Sequence, residues 1–286
     1  MINHRYDFIY LFDITNGNPN GDPDADNAPR MDPETGYGYV TDVCLKRKVR
    51  NYVDTVKNSA EGYNILIKSD MPLNDKFRAA YEHENLPVDV TKKGTNPTAE
   101  QLARQFMCRN YYDVRMFGAV MSTGTNSCGV VRGPVQFSFA NSVSPIFINH
   151  VSITRQAKTD QERAKKGETE MGAKQIIPYG LYVMHGHISA ALANNTTKIS
   201  EDDLNLLWNS LLYMFDEDRS AARADMDARG LYIFRHDNVY GNAKFSDLES
   251  KIKISLKDGV SVPRRFDDYE VHVNENMPDG VQLIIQ

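Results

Sequence analysis

The chain holds only three cysteines in 286 residues, and Cys44, Cys108 and Cys128 stand far apart. Such spacing offers neither the paired ligands of a structural zinc site nor the even count of a secreted disulfide framework, so a cytoplasmic, reducing compartment is expected. No charged-then-apolar leader opens the sequence, and no run approaches the roughly 20 apolar residues of a membrane span. Neither export nor a membrane partner is expected. Positive charge is also short: 33 Lys and Arg face 38 Asp and Glu, a formal net charge of -5. That balance excludes a protein that coats nucleic acid by bulk charge, and any contact must come from local clusters. Catalytic and cofactor motifs are missing too. GYGYVT at 36–41 lacks the third glycine of a dinucleotide fingerprint and the lysine of a phosphate loop. His185 and His187 sit two apart without a third ligand near in sequence, and His236 has no Ser or Cys nucleophile motif beside it. The residues therefore imply no metal, no cofactor and no catalytic group.

What is present, 41% hydrophobic and 25% charged residues, is the make-up of one elaborated globular domain. Residues 6–14, YDFIYLFDI, are aromatic and β-branched on both faces, which predicts a central strand covered on each side. In residues 15–35, Gly17, Gly21, Pro19, Pro23, Pro29 and Pro33 oppose helix and ladder pairing, so a long structureless loop of functional character is expected. Next comes GYGYVTDVCLKRKVRNYV at 36–53, a glycine turn feeding a helix capped by Thr41 with Asp42 in its first turn. Leu45, Val49, Tyr52, Val53 and Val56 share its inner side; Lys46, Arg50 and Lys57 line one edge, Lys48 the other, with Arg47 further round. Residues 1–35 hold seven acids against Arg5 and Arg30, whereas 43–57 hold five bases against Asp54 alone. The split suits both a polyanion binder and a protein that assembles head to tail.

Further along, 60–97 reads as an irregular insertion with a short helix. Thr98 and Gln101 form a capping box opening a helix that ends at Gly118, with Ala103, Met107, Tyr111, Val114 and Phe117 on one face. A loop follows to Gly129, and then a strand on which Val131, Val135, Phe137 and Phe139 point one way and Arg132, Gln136 and Ser138 the other. Strands are expected at 146–155 and 176–190, separated by a polar protruding excursion at 156–175. Ser200 and Asp203 start a helix with a wide apolar stripe, and strands follow at 231–236, 251–256, 269–273 and 281–286. The pattern is α+β, an antiparallel sheet with helices on one face.

NGNPNGDPD at 16–24, TDVCLKRKVRNYV at 41–53, DVRMFGAVM at 113–121, GVVRGPVQFSFANSVSP at 129–145, PYGLYVMHGHISA at 178–190, MFDEDRSAAR at 214–223 and FRHDNVYGNA at 234–243 together make the chain resemble a CRISPR-associated family. That family is the RAMP-type, crRNA-binding backbone subunit of the type I-C Cascade complex. The resemblance covers nearly the whole chain. It implies a single RRM-like (ferredoxin-like) palm over 1–286 with a finger-like insertion at 60–97 and a thumb-like excursion at 156–175. It also implies a non-catalytic subunit stacked head to tail along a guide RNA. The implied partners are crRNA, target DNA through the guide, copies of itself, and the pre-crRNA-processing and large subunits. Carried over by position, Lys46 and Arg50 are the leading phosphate contacts, with Arg47, Lys48 and Arg132 beside them. In the thumb, Lys158, Arg163, Lys165 and Lys166 carry the charge and Met171 is the one sizeable wedge. The aromatic core signature of isolated RRM domains is absent, so the expected contacts are to the RNA backbone. The competing reading is a metal-dependent RAMP-type ribonuclease using Asp22, Asp24 and Asp26; a glycine- and proline-broken loop preorganises such groups poorly.

Overall fold

In a computed structural model, residues 1–88, 97–124, 126–155 and 170–286 are described. The longest early strand, β1 (Tyr6–Gly17), is buried on both faces as its composition predicts: Phe8, Tyr10, Phe12 and Ile14 enter one core, Ile9 and Leu11 another. The following loop is not structureless. β1 runs on through Gly17, and β2 (Gly21–Asp22) pairs with β3 (Ala28–Pro29) around a short turn at Pro23–Ala25. Asn side chains replace the ladder that glycine and proline deny: Asn18 Nδ2 donates to the Asn27 carbonyl at 2.7 Å, and Asp26 and Asn27 take left-handed φ of 50° and 58°.

β4 (Tyr37–Val40) leads into α1 (Asp42–Lys57), capped by Thr41 as expected. Leu45, Val49 and Val53 are buried, but Val56 lies beyond the apolar stripe and is 52% exposed. The insertion is more regular than its sequence suggests. α2 (Leu73–His83), α3 (Pro97–Asn110), α4 (Tyr112–Phe117) and the hairpin of β5 (Gly118–Met121) with β6 (Gly129–Arg132) enclose a second core of Leu66, Phe77, Tyr81, Ala103, Met107 and Val114. Two boundaries differ from expectation here. The helix expected to run to Gly118 breaks at Tyr111, because Asn64 wedges in, donating to the Asn110 carbonyl and accepting the Tyr112 amide. The loop expected to run from Gly118 to Gly129 begins instead with strand β5, which pairs with β6 from Gly129 onward.

The single strand expected around Arg132 is also three pieces. Pro134 has no N–H to continue the ladder, so β6 stays with β5, while β7 (Val135–Phe137) and β8 (Ala140–Pro145) join the main sheet. The alternation slips after Phe137, leaving Phe139 48% exposed and stacked on Tyr39 instead of pointing inward. β9 (Asn149–Arg155) pairs with the first part of β10 (Glu170–Ile188), whose second part pairs with β1; β10 thus starts earlier than the expected 176. Ser200 and Asp203 form the expected capping box of α5 (Glu201–Glu217), followed by β11 (Met226–His236), α6 (Phe245–Glu249), β12 (Ile252–Leu256), β13 (Tyr269–Val273) and β14 (Val281–Ile285).

The main sheet is antiparallel in the order β14-β11-β1-β10-β8-β4. Side chains of α1 and α5 share the core on one of its faces, where Tyr10 Oη donates to the Leu211 carbonyl at 2.5 Å. On the other face Leu248, Ile252 and Tyr269 cover Ile9, Leu11, Leu181 and Phe234. The molecule is α+β with one large antiparallel sheet. Among the described residues no helix is long and apolar enough to cross a membrane.

Candidate nucleic-acid interface

The start of the basic helix is set by the loop before it: Asn20 Oδ1 accepts both the Thr41 amide and its hydroxyl at 3.0 Å, while the Thr41 hydroxyl caps Cys44 N–H. From that fixed start the bases fall in distinct places. Lys46 Nζ is 2.8 Å from Asp42 Oδ2 and lies 5.7 and 5.9 Å from the ring centres of Phe117 and Phe137. Arg50 Nε donates to Asp113 Oδ2 at 2.8 Å, its guanidinium 5.4 Å from the Phe117 ring. Asp113 is buried and also accepts the Leu66 and Ile67 amides at 2.8 and 3.1 Å, so Arg50 ties α1 to the second core. Lys48 does not stand on an open edge. It is 3% exposed, and its ammonium pairs with Asp218 at the end of α5, where Arg223 also bonds at 2.9 Å. Arg47 faces out, with the Ile67 carbonyl 3.4 Å away.

Arg132 closes β6 opposite Gly118. The next residue, Gly133, lies so close to the Phe117–Gly118 backbone that a Cβ would collide with it, and Gly118 itself has φ +79°. That contact fixes where Arg132 leaves the sheet. Lys46 and Arg50 therefore meet at the Phe117 ring, whereas Arg132 leaves β6 to line a separate surface with Arg5 and Gln136. Arg132 is exposed and, among the described residues, has no ion pair. Lys158, Arg163, Lys165 and Lys166 lie outside the described residues, and of Met171 the backbone alone is described, opposite Thr154 on β9.

Sequence reasoning missed a cavity of about 470 Å³ at the start of β1, lined by Arg5, Arg132, Gln136, His187, Ser189 and Tyr240 among others. Behind it sits Asp7, fully buried, with His187 Nδ1 at 2.6 Å, His236 Nε2 at 2.9 Å and Arg5 at 3.0 Å. His236 Nδ1 accepts the Asn242 amide, which leaves Nε2–H to donate to Asp7. Burial pushes the Asp7 carboxyl up, but the two histidine hydrogen bonds and the Arg5 charge outweigh it and hold the group well below the usual carboxylate range. The signal was in the sequence: period-two alternation puts Asp7, His185 and His187 on one face once β1 and β10 pair.

His185 and His187 find acids rather than a metal cage, His185 facing Glu249 at 3.5 Å and His187 facing Asp7. Burial pushes the His185 imidazole down, against the Glu249 charge. In the acidic loop, Asp22 accepts the Asp24 amide and pairs with Arg30 at 3.4 Å, whereas Asp24 and Asp26 are exposed. Among the described residues no three His, Cys, Asp or Glu side chains group closely enough to hold a metal ion.

The model of the family "CRISPR-associated protein Cas7" matches residues 4–274. CRISPR-associated protein Cas7 of Haloferax volcanii is 26% identical over 295 residues, covering 95% of this chain and 81% of that protein. A chain of a solved CRISPR RNA-guided surveillance complex, pre-nicking, is similar with a TM-score of 0.51 and 13% identity over 85% of this chain and 81% of that one. A chain of another CRISPR RNA-guided surveillance complex aligns with a TM-score of 0.48 and 14% identity over 90% and 78%. At such identity the first of these likenesses is one of fold.

Proposed function

This chain belongs to the CRISPR-associated Cas7 family, and we propose that it is the non-catalytic, crRNA-binding backbone subunit of a type I-C Cascade complex. Copies associate head to tail in the cytoplasm, hold the guide's phosphates and leave its base edges free to pair with target DNA. The strand order β11-β1-β10-β8, with α1 following β1 and α5 preceding β11 along the chain, supports an RRM-like palm. The second core, to which Leu66, Phe77 and Tyr81 contribute, supports a finger at 60–97, and the β9–β10 ladder supports a thumb at 156–175. The pre-crRNA-processing and large subunits complete the assembly.

The observation that carries the RNA reading is the placing of Lys46 and Arg50 together at the Phe117 ring, with Arg47 outward on the same helix. The ion pairs of Lys46 and Arg50 leave part of each guanidinium or ammonium free for phosphate while fixing its direction. Lys48 acts from behind, holding α1 on α5. The thumb residues Lys158, Arg163, Lys165, Lys166 and Met171 reach over the guide in this reading. The ribonuclease alternative loses ground because Asp22 is engaged by Arg30.

The test is salt-dependent binding of the full chain to unrelated RNAs, wild type against Lys46→Glu with Arg47→Glu. These two substitutions spare the Arg50–Asp113 pair that the fold needs. Affinity falls alike for all sequences, since phosphate contacts carry no base information. The slope of log affinity against log salt flattens by about 0.7 per lost contact. An unchanged slope would put the RNA elsewhere.

A further inference from the structure

The two ends of β1 carry opposite charge. At its start lies the cavity with Arg5, Arg132, Gln136 and His187 in its lining and no carboxylate among the lining residues. At its far end the turn of residues 22–26 projects Asp24 and Asp26 into solvent, while Asp22 is held back by Arg30. This turn is a shaped knob, built by the β2–β3 pair and by the left-handed Asp26 and Asn27. The ladder with β10 fixes both positions independently: Tyr6 faces Ile188 at the cavity end, Gly17 faces Ile177 at the other, and Gln175 there donates to the Asp26 carbonyl. Along the strand the separation is about 36 Å. That is several times the roughly 8 Å screening length at physiological salt, so within one copy neither group offsets the other.

We propose that Asp24 and Asp26 of one copy dock into the Arg132–Arg5 cavity of the next copy, as the charged joint of the array. This rests on the assembly reading above and names its contact. Arg132 has no acid of its own among the described residues, and Arg5 sits over Asp7 with its other terminal nitrogen turned toward the Tyr240 carbonyl at the cavity rim. Two carboxylates entering there find guanidinium donors in charge-assisted geometry, with Gln136 and Ser189 as further polar partners. Knob and socket are different surfaces at opposite ends of one strand. The contact is therefore heterologous, and a heterologous contact that does not close on itself grows an open helical row rather than a ring. A phosphate of the RNA is the rival occupant of the same cavity.

The experiment measures the number of copies of the full chain on one long RNA, and the cooperativity of loading, by single-particle mass. Arg132→Glu alone, and Asp24→Arg with Asp26→Arg, each lower the cooperativity about fivefold or more at moderate salt. The protein carrying all three substitutions regains rows longer than either parent variant, because the reversed turn again meets an opposite charge at position 132, while Arg5 keeps its own pair with Asp7. All the altered side chains are exposed, and circular dichroism checks the fold; because Asp26 holds a left-handed φ of 50°, Asp24→Arg alone serves as the variant that reverses charge without straining the turn. Rows that stay as long as wild type with Asp24→Arg and Asp26→Arg would overturn the proposal. So would a loss in Arg132→Glu that the reversed acids fail to rescue and that also appears on an RNA short enough for one copy; that result assigns the cavity to phosphate. Wild-type protein that binds only singly on long RNA would overturn the assembly reading itself, before any variant is made.

Discussion

Arg50 shows why single residues were hard to read from the sequence. Its helix, its cap and its side of the apolar stripe follow from residues 41–53, but its partner Asp113 is 63 positions away, and Lys48's partner Asp218 is 170 away. No local pattern announces such pairs, so five bases on one helix look alike until the cores are assembled. Asp113 is the more deeply buried of these acids and accepts three hydrogen bonds. Asp113→Ala leaves the Leu66 and Ile67 amides and the Arg50 charge without their acceptor, and it lowers unfolding free energy by about 3 kcal/mol in urea titration. A change within a few tenths of wild type would mean the pair is dispensable. Asp7 gives a pH-dependent case. Its folded pKa lies below the unfolded value of about 3.9, so its contribution is fully present above that value and fades as pH falls below it toward the folded pKa. Asp7→Asn is therefore destabilised at pH 7, and its gap to wild type narrows between about pH 4 and pH 2. Burial raises the Cys108 thiol to about 11 and the Cys128 thiol to about 12. Neither reacts with iodoacetamide at pH 8 until the chain is unfolded.

At the scale of elements, strongly periodic segments were legible and junctions were not. α1, α5 and the both-faced β1 follow from composition and caps. The strand around Arg132 reads as one piece because alternation persists from Val131 to Phe137, while the pairing partner changes at Pro134. The order within 15–35 is invisible to composition because it comes from side-chain amides such as Asn18 and Asn20, which substitute for a ladder. The β9–β10 extension yields a direct prediction. Arg155 and Glu170 face each other in the ladder, so a two-residue Asn-Gly turn can replace residues 156–169 without disturbing register. The shortened protein keeps its thermal midpoint within a few degrees, because the sequence removed is polar almost throughout and offers little apolar area to bury. Under the thumb reading it loses cooperative loading on RNA. Normal loading would take the thumb assignment away and leave the basic helix untouched.

For the whole molecule, the legible quantities were the α+β class and the segregation of charge, and family resemblance supplied the rest. Net charge of -5 with a basic helix and an acidic turn is a poor match to a protein that coats RNA alone. It suits one that places each copy beside another, where acids meet bases across the joint. The central claim is a backbone that counts along its guide without cutting it. Particle mass measured against RNA length, in Mg²⁺, tests both halves at once. The account expects mass to rise in steps of one 32.4 kDa subunit as the RNA lengthens, with the RNA recovered intact; a single bound copy at every length, or shortening of the RNA that Asp24→Ala abolishes, would contradict it.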